Sequence, residues 1–464
     1  MIRNHSRHGS RFPIASGAAS DPYWANVSML LHGDGTNAAQ NNTFLDGSTN
    51  NFTVTRNGNT TQGSFNPFVP TYPYAVATNG GSGYFDGAGD YLTVLDNAAF
   101  TLGTNDFTIE CWINFSSLSI AQVFSGQARN TLADAAWYIK VNTTGTFFVQ
   151  FYDVLLTYPT ITSTLTATAG AWCHLAIVRN GNTGRMYVNG VQSGTVSLAG
   201  VTFVDSLALL GVGAGGAYVG DPFTGYISNF RLVNGTCIYP SGTTFTPSTV
   251  PLTAVTNTAL LLGFTNGAIF DNAILNNLET VASAQISTSV FKYGTGSMSF
   301  NGTTDYLNTS PANQAAFAFG SGDFTIEMWV NPTVLGAANE FLYDGRLSVD
   351  GAFPSIYVNA SSLVLYLANG ATQITGGAIS TATWTHIAIC RSGTSTKLFI
   401  NGTQSGSTYT DSTVYLNNPL RPVIGSNGPI GAYWNGYIDD LRVTKGIARY
   451  TTTFTPPTAA FPNK

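Results

Sequence analysis

Hydrophobic positions in this chain alternate with polar ones over short stretches, the period of a half-buried β-strand. Phe107, Ile109 and Cys111 alternate with Thr108, Glu110 and Trp112. Around Leu175 and Ile177 the intervening positions include Ala176 and Val178, so both faces of that strand are rather apolar. Residues 185–191 and 397–403 read as strands running into Asn-Gly turns at Asn189-Gly190 and Asn401-Gly402. Asn-Gly supplies the positive φ angles that a tight hairpin needs. No convincing amphipathic helix of about ten or more residues appears. Many short strands, with turn signals roughly every 8–12 residues, predict an antiparallel sandwich.

The pattern is written twice. Phe85-Asp86-Gly87 with Asp90-Tyr91-Leu92 returns as Phe300-Asn301-Gly302 with Asp305-Tyr306-Leu307. Asp106-Phe107-Thr108-Ile109-Glu110 and Trp112 return as Asp323-Phe324-Thr325-Ile326-Glu327 and Trp329. Trp172 and His174 return as Trp384 and His386, and Gly225-Tyr226-Ile227 as Gly436-Tyr437-Ile438. Phe245-Thr246-Pro247 closes the first copy and Phe454-Thr455-Pro456 the second. The spacing between partners stays near 210 residues throughout, so one whole domain was duplicated; a solenoid would repeat every 20–50 or so. Ala259-Leu260-Leu261-Leu262 echoes Ser28-Met29-Leu30-Leu31. The expected organisation is an arm over 1–21, one sandwich over 22–253 and a second over 257–464. The junction from Thr246 to Pro251 carries two prolines and reads as a stiff connector.

Composition narrows the function. Only 9% of residues are charged and the net charge is −5, which excludes the basic stripe a nucleic-acid binder needs. Aromatics at 12% supply burial that a disordered chain lacks. No apolar run is long enough to span a bilayer. The cysteines Cys111, Cys173, Cys237 and Cys390 have no cysteine partners in the other copy, so no disulfide belongs to the shared fold, and buried free thiols are expected. Residues 1–21 differ from the rest: Arg3, Arg7 and Arg11, with His5 and His8, precede the first acid, Asp21. This reads as a flexible basic arm ordered against a partner.

The Phe-Asp-Gly segment, the Asp-Phe-Thr-Ile-Glu-x-Trp strand, the Trp-x-His-x-Ala strand, the Asn-Gly hairpin and the Gly-Tyr-Ile segment resemble the laminin-G-like, or concanavalin A-like, jelly-roll lectin/glucanase superfamily. The resemblance covers nearly all of residues 22–464, twice. It implies an all-β chain: two tandem antiparallel β-sandwich (jelly-roll, concanavalin A-like) domains behind a short flexible N-terminal arm. Trp24-Ala25-Asn26-Val27-Ser28, Leu30-Leu31-His32-Gly33-Asp34-Gly35 and the low-charge Thr/Gly/Asn composition resemble modules in virion proteins of tailed bacteriophages. That implies a structural virion protein, on capsid, tail or fibre, anchored to other virion proteins by its arm and forming a homotrimer. The alternative is a receptor-binding protein that recognises host-surface glycans.

Chemistry is sparse. Glycosidases need two carboxylates on one face, about 5–5.5 Å apart in retaining enzymes. Glu110 and Glu327 stand alone in their strands, so no glycosidase activity is expected, and a solvent-facing or turn-capping role is assigned to them. His174 and His386 repeat without an acidic partner at a repeated spacing, which points to structural histidines. Gly211-Val212-Gly213-Ala214-Gly215-Gly216 precedes a strand rather than a helix, so it is no dinucleotide loop. Calcium is the one cofactor the resemblance implies. Its oxygen donors would be Asp86 and Asp90 in the first copy and Asn301 and Asp305 in the second, set against local turn formation by the same side chains. Tyr218, Tyr433 and Trp434 are the aromatic candidates for a glycan at the rim.

Overall fold

The computed structural model describes residues 20–68, 74–128, 134–216, 220–240, 242–309, 314–336, 338–346, 351–418, 421–427 and 431–464. The anchoring candidates Arg3, Arg7 and Arg11 lie outside the described residues, as does Tyr218.

Each copy forms a sandwich of two antiparallel sheets. In the first module the long-strand sheet runs in the order Val191–Ser197, Thr183–Val188, Cys173–Asn180, Phe107–Phe115, Thr224–Asn234, Ser82–Asp86 and Thr61–Gly63. Opposite it lies a sheet ordered Thr160–Thr166, Thr146–Phe151, Ala135–Val141, Gln122–Ala128, Leu210–Val212, Tyr91–Val94 and Thr55–Asn57. Four consecutive strands make up one side of this second sheet, here termed the meander sheet. The second module repeats both sheet orders, from Phe324–Pro332 at the centre of one to the run from Glu340–Asp344 to Ala371–Ala378 in the other, with the edge of the long-strand sheet split into Thr403–Gln404 and Tyr409–Thr410.

The alternation read from the sequence builds the core. Phe107, Ile109, Ile113 and Phe115 face Trp137, Ile139, Phe147, Val149 and Phe151 between the sheets, all essentially buried. The opposite positions of the long strands are buried too, because the chain folds back over them. Ala176, Val178 and Tyr187 lie beneath Cys237, Tyr239 and Phe245, and Ala388, Cys390 and Phe399 beneath Tyr450 and Phe454. The Asn-Gly turns seat these returning segments. Asn189 and Gly190 take φ values of 50° and 77°, and Asn401 and Gly402 take 48° and 77°. A Cβ on Gly190 would strike the carbonyl oxygen of Phe245, and one on Gly402 that of Phe454. Glycine is therefore required twice over, by conformation and by close approach. All four cysteines are free thiols.

Strand exchange departs from the expected boundaries. Strand Val27–Leu31 does not join the module that follows it. It pairs antiparallel with Asn435–Lys445, the last strand of the second module. Its echo, Thr258–Leu262, pairs with Thr224–Asn234, the last strand of the first. Each module is thus closed by a strand lying outside its own repeat, and the first module is inserted between two parts of the second. The arm boundary at residue 21 also falls inside the fold. Asp21 is buried, and its N–H donates to the carbonyl of Lys464.

A polar seam joins the modules. Asn41 donates to the carbonyls of Ile269 and Leu278 and accepts from Ala268 and Ile269. Thr61 and Ser64 donate to the carbonyls of Leu278 and Asp271 at 2.6 Å each. Asn277 donates to the Ser82 carbonyl at 3.0 Å. Every one of these groups is buried and partnered, the condition under which a polar interface is stabilising.

Candidate functional site

The repeated glutamates are not solvent-facing, which corrects the reading of Glu110 and Glu327 above. Antiparallel register sets Glu110 opposite Ala176 and Arg231, one step diagonal from His174. Glu110 Oε1 accepts from Arg231, Oε2 accepts from Tyr239 at 2.8 Å, and His174 Nε2 lies 3.2 Å away. Glu327 repeats this with Arg442, with Tyr450 at 2.8 Å, and with His386 Nε2 at 3.3 Å. Burial alone would raise the Glu327 pKa, but Arg442, His386 and Arg449 outweigh it and hold the carboxyl at about 2. Burial likewise opposes ionisation of Glu110, and His174 and Arg231 together pull it below the usual carboxylate range. The histidines therefore do have acidic partners, supplied across strands rather than along them. Both carboxylates are saturated with donors and sealed from solvent, so these clusters act as struts. Neither presents a second carboxylate to a reacting bond.

The tentative calcium ligands are used otherwise. Asp90 Oδ1 accepts from Asn59 N and Oδ2 from Asp86 N, while Asp86 Oδ1 accepts from Ala88 N. Asn301 Oδ1 accepts from the N–H groups of Thr303, Thr304 and Asp305; Asp305 accepts from Ser283 N and Asn301 N. Burial raises the Asp90 pKa to about 6, against the lowering effect of the Asp86 backbone N–H that it accepts. Oxygens bonded to backbone N–H groups in this way form the local turns that Asp and Asn side chains favour. Among the described residues no group of three or more His, Cys, Asp or Glu side chains could hold a metal.

Of the aromatic candidates, Trp434 is fully buried in the second module's core, which corrects its assignment to an exposed rim. Its position just before the long strand Asn435–Lys445 turns the indole between the sheets. Tyr433 is half-buried, its ring 6.4 Å from that of Tyr306.

The open aromatic surface lies on the outer face of the first module's meander sheet. Register places Tyr138 opposite Gln150 and Gln150 opposite Thr160. The next row holds Lys140, Phe148 and Thr162. All six side chains point away from the core, because their neighbours Trp137, Ile139, Phe147, Val149 and Ile161 point into it. Tyr138 and Phe148 stand 6.1 Å apart, with the Lys140 ammonium 4.9 Å from the Phe148 ring centre. Tyr138 Oη donates to Gln150 at 3.3 Å, and Tyr152, itself buried, packs 6.3 Å from Tyr138. The strand pattern of residues 135–151 carried this signal, but the outward aromatics are visible as a cluster only once register is known. The same face of the second module is closed. Phe341, Tyr357, Leu365 and Leu367 are buried there, with Arg346 stacked 4.7 Å over Phe341 and Ala432 packed alongside.

The family comparison agrees with a duplicated domain. The family model described as the concanavalin A-like lectin/glucanases superfamily matches residues 85–237 and 301–447. No curated protein matches the sequence. Among solved structures, domains LG4-5 of the mouse laminin alpha1 chain are 13% identical, covering 85% of this chain and 97% of that one, with a TM-score of 0.29. The LG1-3 region of the laminin alpha2 chain is 12% identical over 79% of this chain and 62% of that one, at 0.38. The binding domain of Paraclostridial Mosquitocidal Protein 1 is 11% identical over 84% and 93%, at 0.32. No helix among the described residues is long and apolar enough to cross a membrane. The chain belongs to the concanavalin A-like lectin/glucanases superfamily and carries two of its lectin-like modules in tandem.

Proposed function

We propose that the chain is a glycan-binding protein that takes its ligand on the outer face of the first module's meander sheet. The observation carrying this is the pair of rows Tyr138–Gln150–Thr160 and Lys140–Phe148–Thr162. A sugar ring offers an apolar C–H face and a rim of hydroxyls. Aromatic faces receive the first, and amide, hydroxyl and ammonium groups receive the second. The counterpart face of the second module is buried, its Phe341 and Tyr357 rings stacked on each other among leucines, so this reading gives one such site per chain.

The second module then serves attachment. Asp21 is bonded to Lys464, so it sits on the second module. This fits the setting that the resemblance implies, a tailed-bacteriophage virion protein with Arg3, Arg7 and Arg11 facing other virion proteins and the first module facing a host-surface glycan. A glycan array probed with the full chain tests the core of the reading. Binding that Tyr138→Ala and Phe148→Ala each weaken by about tenfold or more supports it, as expected for losing one stacked ring. Binding indifferent to both substitutions, or no binding to any glycan, overturns it.

A further inference from the structure

The loop between strands Thr146–Phe151 and Thr160–Thr166 exposes three consecutive aliphatic side chains. Val154 is 54% exposed, Leu155 72% and Leu156 67%, with Tyr158 at 39% behind them. The duplication supplies an internal control. In the second module the corresponding strands, Leu363–Ala368 and Ala371–Ala378, are joined by Asn369-Gly370 alone, a tight turn with φ values of 52° and 71°. The sheet closes without the loop, so the exposed tip from Val154 to Tyr158 is not needed to close it.

The loop is nonetheless built to hold its shape. Asp153 is buried; its Oδ2 accepts from Thr157 Oγ1 at 2.9 Å and its Oδ1 from Thr202 N at 3.1 Å. Asp153 N donates to the Thr157 carbonyl, Leu156 N to the Asp153 carbonyl and Val154 N to the Thr202 carbonyl. Leu156 sits at φ 60°, a left-handed conformation that disfavours a leucine. The chain thus accepts local strain to hold apolar side chains in water, a combination that marks an interaction site.

We propose that this loop inserts into a lipid surface, so that the ligand of the adjoining face is a glycan carried on a lipid. The proposal rests on the glycan reading above and names the ligand class. Polarity changes in order along the module: aliphatic at the tip (Val154, Leu155, Leu156), then the exposed Tyr158, which rests on the buried Tyr152 at 5.5 Å, then Tyr138 with Lys140 and Gln150. No residue from Val154 to Thr160 is charged. That order matches a bilayer from acyl chains, through the interfacial zone where tyrosine concentrates, to the headgroups. Lys140 has no ion-pair partner among the described residues and would lie at headgroup depth, where phospholipid phosphates are. The tip is a convex projection, which a fluid acyl layer accommodates without a matching groove.

The test uses one oligosaccharide from the array in two forms, free and coupled to diacyl phosphatidylethanolamine in phosphatidylcholine vesicles, with plain phosphatidylcholine vesicles as control. The variant is Leu155→Ser with Leu156→Asn. Asparagine tolerates the left-handed conformation, so an unchanged melting temperature verifies folding. The variant should bind the free oligosaccharide like the native chain and the glycan-bearing vesicles about tenfold or more weakly, the scale expected for two leucines withheld from hydrocarbon. Equal vesicle binding by both proteins overturns the proposal. So does parallel loss of free-oligosaccharide binding, which would make the loop a sugar contact. So does unchanged vesicle binding with loss of self-association in sedimentation, which would assign the loop to a second copy. If neither form is bound by the native chain, the glycan reading itself fails.

Discussion

Replacing Asp21 removes a negative charge held between two buried guanidiniums. Asp21 Oδ2 accepts from Arg442 Nη1 at 3.0 Å and from Arg449 Nη2 at 2.8 Å, and Oδ1 accepts from Arg449 Nη1 at 3.0 Å. Asp21 is 6% exposed and both arginines are at most 7% exposed at the side chain. Without it, Glu327 is left to balance two cations that also face each other. Removing one partner of a buried pair costs about 3–5 kcal/mol. Asp21→Asn keeps an acceptor and belongs at the low end, and Asp21→Ala at the high end. For a module of this size, that loss lowers the melting temperature by roughly 6–20 °C. The effect should be confined to the second module, because the first ties Arg231 to the Thr253 carbonyl instead. Thermal unfolding measures the magnitude, and hydrogen exchange at Ile438–Val443 against Ile227–Leu232 assigns the module. A shift under about 2 °C for both variants, or one that falls on the first module, refutes the reasoning.

Three further outcomes are expected. Deleting residues 1–19 should leave the second module's melting temperature unchanged. Deleting residues 1–31 should unfold that module, since Met29, Leu30 and Leu31 are buried there, and a synthetic peptide of residues 20–33 should restore its circular dichroism. The second module should be more stable at pH 5 than at pH 8. Burial and the neighbouring Asp440 raise the Asp439 pKa from 3.8 to about 7, so the folded state holds a proton that the unfolded state releases, and stability is lost as pH rises to about 7. The loss is on the order of 2–4 kcal/mol; Asp439→Ser, the residue found at position 228 of the first copy, should flatten it in melts across that range. Glu110→Gln should destabilise the first module by about 3 kcal/mol in urea titrations, and neither it nor the native chain should hydrolyse a β-glucan.

The clusters around Glu110 and Glu327 show how far the sequence could be read. Each of their members recurs in both copies: Glu110, His174, Arg231 and Tyr239 against Glu327, His386, Arg442 and Tyr450. In a chain with 9% charged residues, such recurrence was a usable signal of mutual contact. What hid it was separation, since 64 residues divide Glu110 from His174 and 121 divide it from Arg231. The aromatic face was hidden in the same way. Tyr138 and Phe148 become neighbours only through the register of two strands, whereas Trp434, which looked like a rim aromatic beside Tyr433, is turned inward by the strand that follows it.

By itself the sequence determined the duplication, the two-sheet sandwich and the Asn-Gly hairpins. These follow from period-two alternation and turn chemistry, which act between residues close along the chain. Only the tertiary structure decided which last strand the segment Val27–Leu31 completes, where the arm ends, and which aromatics stay open to solvent. Val27–Leu31 and Thr258–Leu262 carry the same apolar pattern and fit either sheet equally well by local rules. The choice between them is made by burial over the whole chain: Asp271 accepts from Leu30 N at 3.0 Å, and Asp21 reaches Arg442 and Arg449, only when the N-terminal strand lies on the second module.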